Sequence, residues 1–212
     1  MRLTSVLITT ALCVCASGQA PPVERPLGLP PRLAPTDYQA HAQAGALTIA
    51  AEFLGHSIPM SPETLLTEDF VVVEAALFGP AETRLKLSQE DFSLRVNGKK
   101  TALPNQPFGM VFQSLKNPAL EPPASASKSK GSVGTGGGGS SESSPPPVFH
   151  LPPEVKRAMQ QYVQKSALAL GDRVVPQAGL IFFQYRGKTQ SIQSLELIYS
   201  GPAGKATLAL QP

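Results

Sequence analysis

The feature that most constrains this chain is a low-complexity stretch at residues 118–147, PALEPPASASKSKGSVGTGGGGSSESSPPP. Leu120 and Val133 are its only sizeable apolar residues, so burial cannot offset the entropy lost on ordering it. Residues 134–139 match the pattern GxGxxG, but no strand precedes them and serine and proline follow. We interpret them as linker and not as a dinucleotide site. The stretch is predicted to be a flexible insertion, and a packed core has to come from the segments on either side.

Before the insertion, the chain has the apolar alternation of β-strands. Residues 44–55 alternate as a half-buried strand does, and residues 70–79 are β-branched and aromatic up to a Gly-Pro stop. Residues 92–96 alternate again, and the pair Asn97-Gly98 follows directly. Both central positions of a type I′ turn need positive φ, so this pair predicts a tight hairpin. Its return strand is predicted at residues 99–103 and is ended by a proline. GMVFQSLKNP fits a short strand or a single helical turn.

The segment after the insertion predicts one helix and three strands. Residues 153–170 carry apolar residues at helical spacing, with prolines suited to a first turn and a following glycine suited to a C-cap. Residues 179–185, 191–201 and 205–211 alternate and are separated by glycine turns, as in an antiparallel meander. With about seven strands, the chain predicts an immunoglobulin-like antiparallel β-sandwich with one amphipathic helix. We expect the helix to pack on an edge or open end of the sandwich, with docking to a partner as the alternative.

Three sequence elements resemble secreted immunoglobulin-like domains of the telokin-like, DUF4352 type. VVVEAALFGP is similar to an early strand of those domains, EDFSLRVNGKK to a later strand and its glycine turn, and VVPQAGLIFFQYRGKTQSIQSLELIYSG to their closing strands. The matching positions are Phe70 to Phe78, then Asp91, Phe92, Leu94 and Gly98, and finally Gly179, Ile181, Phe183, Leu195, Leu197 and Tyr199. The resemblance covers about residues 44–210 without the insertion and the helix, and extends to exported proteins of environmental bacteria. It implies a binding or interaction module and transfers no catalytic residue.

The first twenty residues, MRLTSVLITTALCVCASGQA, have the layout of a secretory signal peptide. Cleavage after Ala20 predicts export to the periplasm or the extracellular space. Cys13 and Cys15 lie inside this segment, so the mature chain would hold no cysteine. Lipid anchoring through one of these cysteines stays an alternative, although the residues before them suit lipidation poorly. Residues 21–37 are predicted to be a proline-rich leader and residues 38–212 a single interrupted domain. No later segment is apolar enough to span a bilayer.

Charge and motifs argue against several chemistries. The net charge is only +3 and the basic residues are scattered, which disfavours nucleic-acid binding. The sequence contains neither the GxSxG motif of serine hydrolases nor the HExxH motif of zinc proteases. Carboxylates for an acid-base pair could come from Glu52, Glu74, Glu90, Asp91 and Glu196, but solvated strand faces explain them more simply.

The sharpest metal hypothesis is His56 with Met60, because imidazole and thioether ligands suit copper in an exported protein. Two ligands are too few for a site, so a loop histidine and a packing methionine are the simpler interpretation. We therefore expect a non-catalytic exported interaction or structural module of the cell envelope, with a protein partner and without a cofactor. A periplasmic protein that binds a small ligand or copper is the alternative.

Overall fold

The computed structural model describes residues 28–120 and 151–212. The predicted signal peptide, the first part of the leader and most of the insertion lie outside these ranges. The described chain is mainly β and antiparallel with one long helix, which confirms the predicted fold class. Neither α-helix in the described ranges is long and apolar enough to cross a bilayer.

The described chain contains thirteen strands and two α-helices. The strands before the insertion are β1 (Ala40–Ala44), β2 (Leu47–Gly55), β3 (Ser57–Met60), β4 (Glu63–Thr67), β5 (Phe70–Phe78), β6 (Arg84–Leu87), β7 (Phe92–Val96), β8 (Leu103–Gln106) and β9 (Leu115–Lys116). Those after it are β10 (Gly171–Val174), β11 (Gln177–Gln184), β12 (Leu195–Gly201) and β13 (Gly204–Leu210). The helices are α1 (Phe108–Val111) and α2 (Pro153–Ser166).

Eight of the strands form one sheet in the order β1-β2-β5-β11-β8-β7-β12-β13, with antiparallel neighbours throughout. The sheet folds over on itself, because one apolar core joins Val73 of its first half to Leu94 and Leu197 of its second. The two edges also approach each other, and Gln39 Nε2 donates to the carbonyl oxygen of Gln211 at 2.9 Å. Two facing layers therefore come from a single sheet, which gives the sandwich-like arrangement.

Strand β5 is buried on both faces, which explains the unbroken apolar run in its sequence. Val71 and Val73 enter the core between the layers, while Val72 lies in a second core with Met159 and Val163 of α2. The neighbouring strand β11 also contributes to both cores, and the small sheet β3-β4-β9 contributes to the second. Helix α2 therefore covers the outer face of β5 and β11, so the prediction that it packs on an edge or open end of the sandwich is wrong.

Helix α2 ends at Ser166, so the prediction of a helix over residues 153–170 is wrong at its C-terminal end. Ala167 is extended, with φ −61° and ψ 144°, and the Leu168 N–H donates to the carbonyl oxygen of Leu180 at 2.9 Å. The connection after the helix is buried on β11, and these contacts with the sheet replace the helical hydrogen bonds that its apolar spacing predicted. GMVFQSLKNP contains both predicted alternatives, because its start lies in α1 and the short strand β9 follows within it.

Asn97 and Gly98 form the predicted tight turn, with φ of 52° and 63°. The predicted return strand at residues 99–103 is wrong, because β8 begins only at the last of these residues and includes the proline that was expected to end it. The physical reason is that Asn97 is engaged elsewhere. Its side-chain amide donates to one backbone carbonyl and accepts from two backbone N–H groups in the loop 191–194, while the chain that follows the turn remains exposed.

From residue 28 onward, the predicted leader packs on the outer face of the folded sheet. Leu29 forms an antiparallel bridge with Ala178 of β11, and the Gly28 N–H donates to the carbonyl oxygen of Lys165 at 2.7 Å. At its other end, Tyr38 is buried in a small cluster with alanines of β2, β5 and β11. This segment is thus tied to both the sheet and the end of α2.

Candidate functional site

The leader covers a pair of facing carboxylates. Glu52 and Glu74 are directly opposed on the adjacent strands β2 and β5. Like charges in that position repel each other across the strands. Arg32 relieves the repulsion, because its Nη2 lies 3.0 Å from Glu74 Oε2 and also forms an ion pair with Glu52. Among the five carboxylates of the sequence hypothesis, the sheet register thus brings this pair together across adjacent strands.

Tyr38 completes this charged cluster. Its ring centroid lies 4.4 Å from the guanidinium carbon of Arg32, and its hydroxyl accepts from the Arg32 backbone N–H at 3.2 Å. Burial alone would lower the pKa of Arg32, but Glu74 and Glu52 outweigh it and hold that pKa above its ordinary value. Burial is also the main cause that raises the pKa of Tyr38. The cluster of Arg32, Glu52, Glu74 and Tyr38, which we call the leader clasp, fixes the leader to the sheet.

A cavity of about 460 Å³ lies at the other end of the leader. The leader, the connection after α2, strand β10 and the start of β11 converge around it. Its apolar wall consists mainly of Leu29, Pro30, Pro31, Val174 and Pro176. A volume of this size is in the range of small-molecule sites, which span roughly 300–1,000 Å³.

Arg173 and Gln177 supply the polar side chains of this cavity. Arg173 Nε donates to the carbonyl oxygen of Leu170 at 3.2 Å. Gln177 Nε2 is buried and has no hydrogen-bond partner. An orphaned buried donor is uncommon in a folded protein. The arrangement suits binding, because neither a guanidinium nor an amide serves as an acid-base catalyst at neutral pH.

A second cavity of about 180 Å³ adjoins the first and shares Ala169 and Arg173 with it. It extends toward Phe108 and to Gln164 on the last turn of α2. Leu170, which also lines it, is 40% exposed. The connection between α2 and β10 therefore forms a common wall of both cavities.

The exposed face of α2 is basic. Lys156, Arg157 and Lys165 have no acidic partner within residues 28–120 and 151–212, although six ion pairs form elsewhere in those ranges. Glu154 is the only acidic residue of the helix. The polar face that the sequence predicted is mostly exposed, and Met159 and Val163 of the opposite face are buried. That polar face consists of Lys156, Arg157, Gln160, Gln161, Gln164 and Lys165.

His56 and Met60, the two weak metal candidates, have separate structural roles. The ring nitrogens of His56 lie 2.9 Å from the carbonyl oxygens of Thr67 and Gly187, and its ring stacks on Tyr185 with centroids 6.4 Å apart. Met60 packs on the core beneath α2. A metal would have to displace a carbonyl from His56, and the described residues contain no group of three His, Cys, Asp or Glu side chains that could hold one.

No protein-family model, curated protein or solved structure matches this chain. The class that the fold defines is a mainly β, antiparallel, sandwich-like protein with a helix on its outer face. The resemblance to telokin-like domains stays a prediction.

Sequence patterns alone do not reveal the leader clasp or the cavity. Glu74 was a visible signal for the clasp, because it interrupts the apolar run VVVEAALF. Its partners Arg32 and Glu52 come from other segments, so only the packed leader and the sheet register connect the three. The cavity has no sequence signal of its own, since its walls are distant in the chain.

Proposed function

We propose that the protein is a non-catalytic, exported interaction module of the cell envelope, which binds a protein partner through the basic face of α2. The observation that carries this proposal is the uncompensated charge of that face. Lys156, Arg157 and Lys165 are exposed on one helix without an acidic partner among the described residues, and Glu154 is the only acidic residue of that helix. Charge complementarity then favours a partner with an acidic surface.

Two further observations support a binding role over a catalytic one. The opposed carboxylates Glu52 and Glu74 lie beneath Arg32, which neutralises part of their charge. The side chain of Glu74 is only 10% exposed, so a substrate would reach it only after the leader moved. The signal-like N-terminus supports export, which would place the interaction in the periplasm or outside the cell.

The test compares two charge-reversal variants of the mature chain. K156E/R157E inverts the basic face of α2, while K99E/K100E makes the same change in charge in the exposed loop after the turn at Gly98. Each variant, immobilised, is exposed to an envelope extract of the source cell at low and at moderate salt. We expect the α2 variant to lose about tenfold in partner yield, as when a pair of steering charges is inverted, while the loop variant stays at the wild-type level.

Salt dependence supplies the second readout. Partner yield on the wild-type protein should fall as ionic strength rises, because contacts between exposed charges are screened. Equal yields for the wild type and K156E/R157E would contradict a role of the basic face. Equal losses for both variants would mean that net charge alone, and not α2, attracts the partner.

A further inference from the structure

We infer that the cavity between the leader and β10 is a binding site for a small organic carboxylate with an apolar body. This site is distinct from the exposed basic face of α2, and the inference does not depend on a partner docking there. Three properties of the cavity lead to it: its hydrogen-bond donors, its charge and the apolar character of its wall.

Two side chains, Arg173 and Gln177, supply the side-chain donors of the cavity. Pro30, Pro31 and Pro176 have no backbone N–H, so these three of the nine lining residues can donate nothing. The N–H groups of Gly28 and Leu29 are already used, because they donate to the carbonyl oxygens of Lys165 and Ala178. The Nη groups of Arg173 and the unpartnered Nε2 of Gln177 remain. Because Nε2 is buried, a ligand would reach it only after the Gln177 side chain turned toward the cavity.

The charge of the cavity favours an anion. Arg173 brings a guanidinium to the cavity, and no acidic side chain lines the cavity beside it. A guanidinium and a carboxylate form a short, charge-assisted pair, and the second carboxylate oxygen can accept from the Gln177 amide. One cation and one amide match a singly charged group. A phosphate would bring further negative charge, and the cavity lining holds no second cation to offset it.

The remaining wall selects an apolar body for the ligand. Leu29, Val174 and the prolines surround the two donors, and the adjoining cavity continues past Ala169 toward Phe108. Aliphatic or aromatic carbon placed there would be removed from water, at about 25 cal/mol per Å² of buried apolar surface. The ligand class is therefore a monocarboxylate with a hydrocarbon chain or ring.

The test uses hexanoate as the probe and hexanamide as its neutral counterpart. The isotope-labelled mature chain is titrated with each compound at constant ionic strength to about 50 mM, which covers the millimolar dissociation constants expected of so small a ligand. Chemical shifts of the Gln177 side-chain amide and of Arg173 Nε report on the site. We expect saturable shifts with hexanoate, and at least a tenfold weaker affinity for hexanamide.

Three variants complete the test. R173Q should weaken hexanoate binding at least tenfold, whereas R84Q, which removes an exposed guanidinium from neighbouring strand β6, should bind as the wild type does. Both are checked for an unchanged amide spectrum away from the cavity. K156E/R157E should bind hexanoate normally, so that failure of the interaction proposal and failure of this one are distinguishable. The inference is overturned by equal binding of hexanoate and hexanamide, by unchanged binding to R173Q, or by no saturable shift at Gln177.

Discussion

Replacing Arg32 by methionine is the most direct test of the leader clasp. The change removes the guanidinium but keeps an unbranched side chain that replaces the aliphatic stem of arginine. Glu52 and Glu74 then face each other across β2 and β5 without a cation between them. We expect the leader to detach from the sheet far more often than in the wild-type protein.

The size of the effect follows from the contacts of Arg32. Its hydrogen bond to the mostly buried Glu74 stabilises by about 1.5–3 kcal/mol, the range for bonds to charged groups. The ion pair with Glu52 adds less than about 1 kcal/mol, because both side chains are about one-third exposed, at 34% and 33%. Contact with the ring of Tyr38 adds about 0.5–1 kcal/mol. Partial screening by solvent brings the total to about 2 kcal/mol, which is roughly a 30-fold change in the opening equilibrium.

Native-state hydrogen exchange measures this opening directly. The Leu29 amide, which donates to β11, should exchange about 30-fold faster in R32M, and adding E74Q should recover part of the loss by removing the repulsion. R84M is the matched control, since its ion pair with Asp172 is about 60% exposed and contributes less than about 1 kcal/mol. An R32M effect no larger than that of R84M, or no recovery with E74Q, would refute this account of the clasp.

Three further predictions concern stability, each measured by urea unfolding. G179A should destabilise by about 1–3 kcal/mol, because an added Cβ would lie 2.4 Å from the backbone of the connection after α2. G109A is the control, since that glycine has open space around it and its change should stay within about 0.5 kcal/mol. Equal effects of the two changes would contradict the close packing at Gly179. N97A should lower the free energy of unfolding by about 1–2 kcal/mol, because three hydrogen bonds to the loop 191–194 disappear. N97D keeps the accepting oxygen and should therefore lose less. The opposite order of the two variants would refute this role of Asn97. Burial raises the pKa of Tyr38 and of Tyr199, so the folded chain keeps protons that the unfolded chain releases near pH 10. The stability from this difference should be fully present below about pH 10. It should fall as the pH rises through the raised pKa values of the folded chain. A Y38F/Y199F double variant that kept the full alkaline loss would contradict that assignment.

The strands that could be predicted are those whose side chains alternate over several residues. β5 and β7 lie where the sequence indicates them, because the two-residue period of a strand is a local property of its own side chains. β12 begins four residues later than the strand predicted over residues 191–201, since a short 3-10 turn at Thr189–Ser191 precedes it. The short strands β3, β6 and β10 have too few residues for a pattern, and neighbouring segments give them their place. The start of helix α2 is predictable from its local sequence, whereas its end is set by contacts with β11.

The two candidate sites could not be predicted in the same way. The leader clasp needs the register of β2 against β5 and the docking of Arg32 from a segment that its prolines marked only as a leader. The cavity needs residues 28–31 and 169–177 to meet. No local sequence pattern encodes the leader clasp or the cavity, because both arise from contacts between segments far apart in the chain. The polar face of α2, in contrast, was visible from helical spacing alone.

The sequence by itself determined the class of the protein: alternating strands, one amphipathic helix, a turn at Asn97-Gly98 and a low-complexity insertion. These follow from side-chain periodicity and backbone preference, which neighbouring residues decide among themselves. Only the tertiary structure decided that one sheet supplies both layers, that Arg32 holds two carboxylates together and that Gln177 keeps a buried amide without a partner. Those outcomes depend on long-range burial and charge, which become defined only when the distant segments pack against each other.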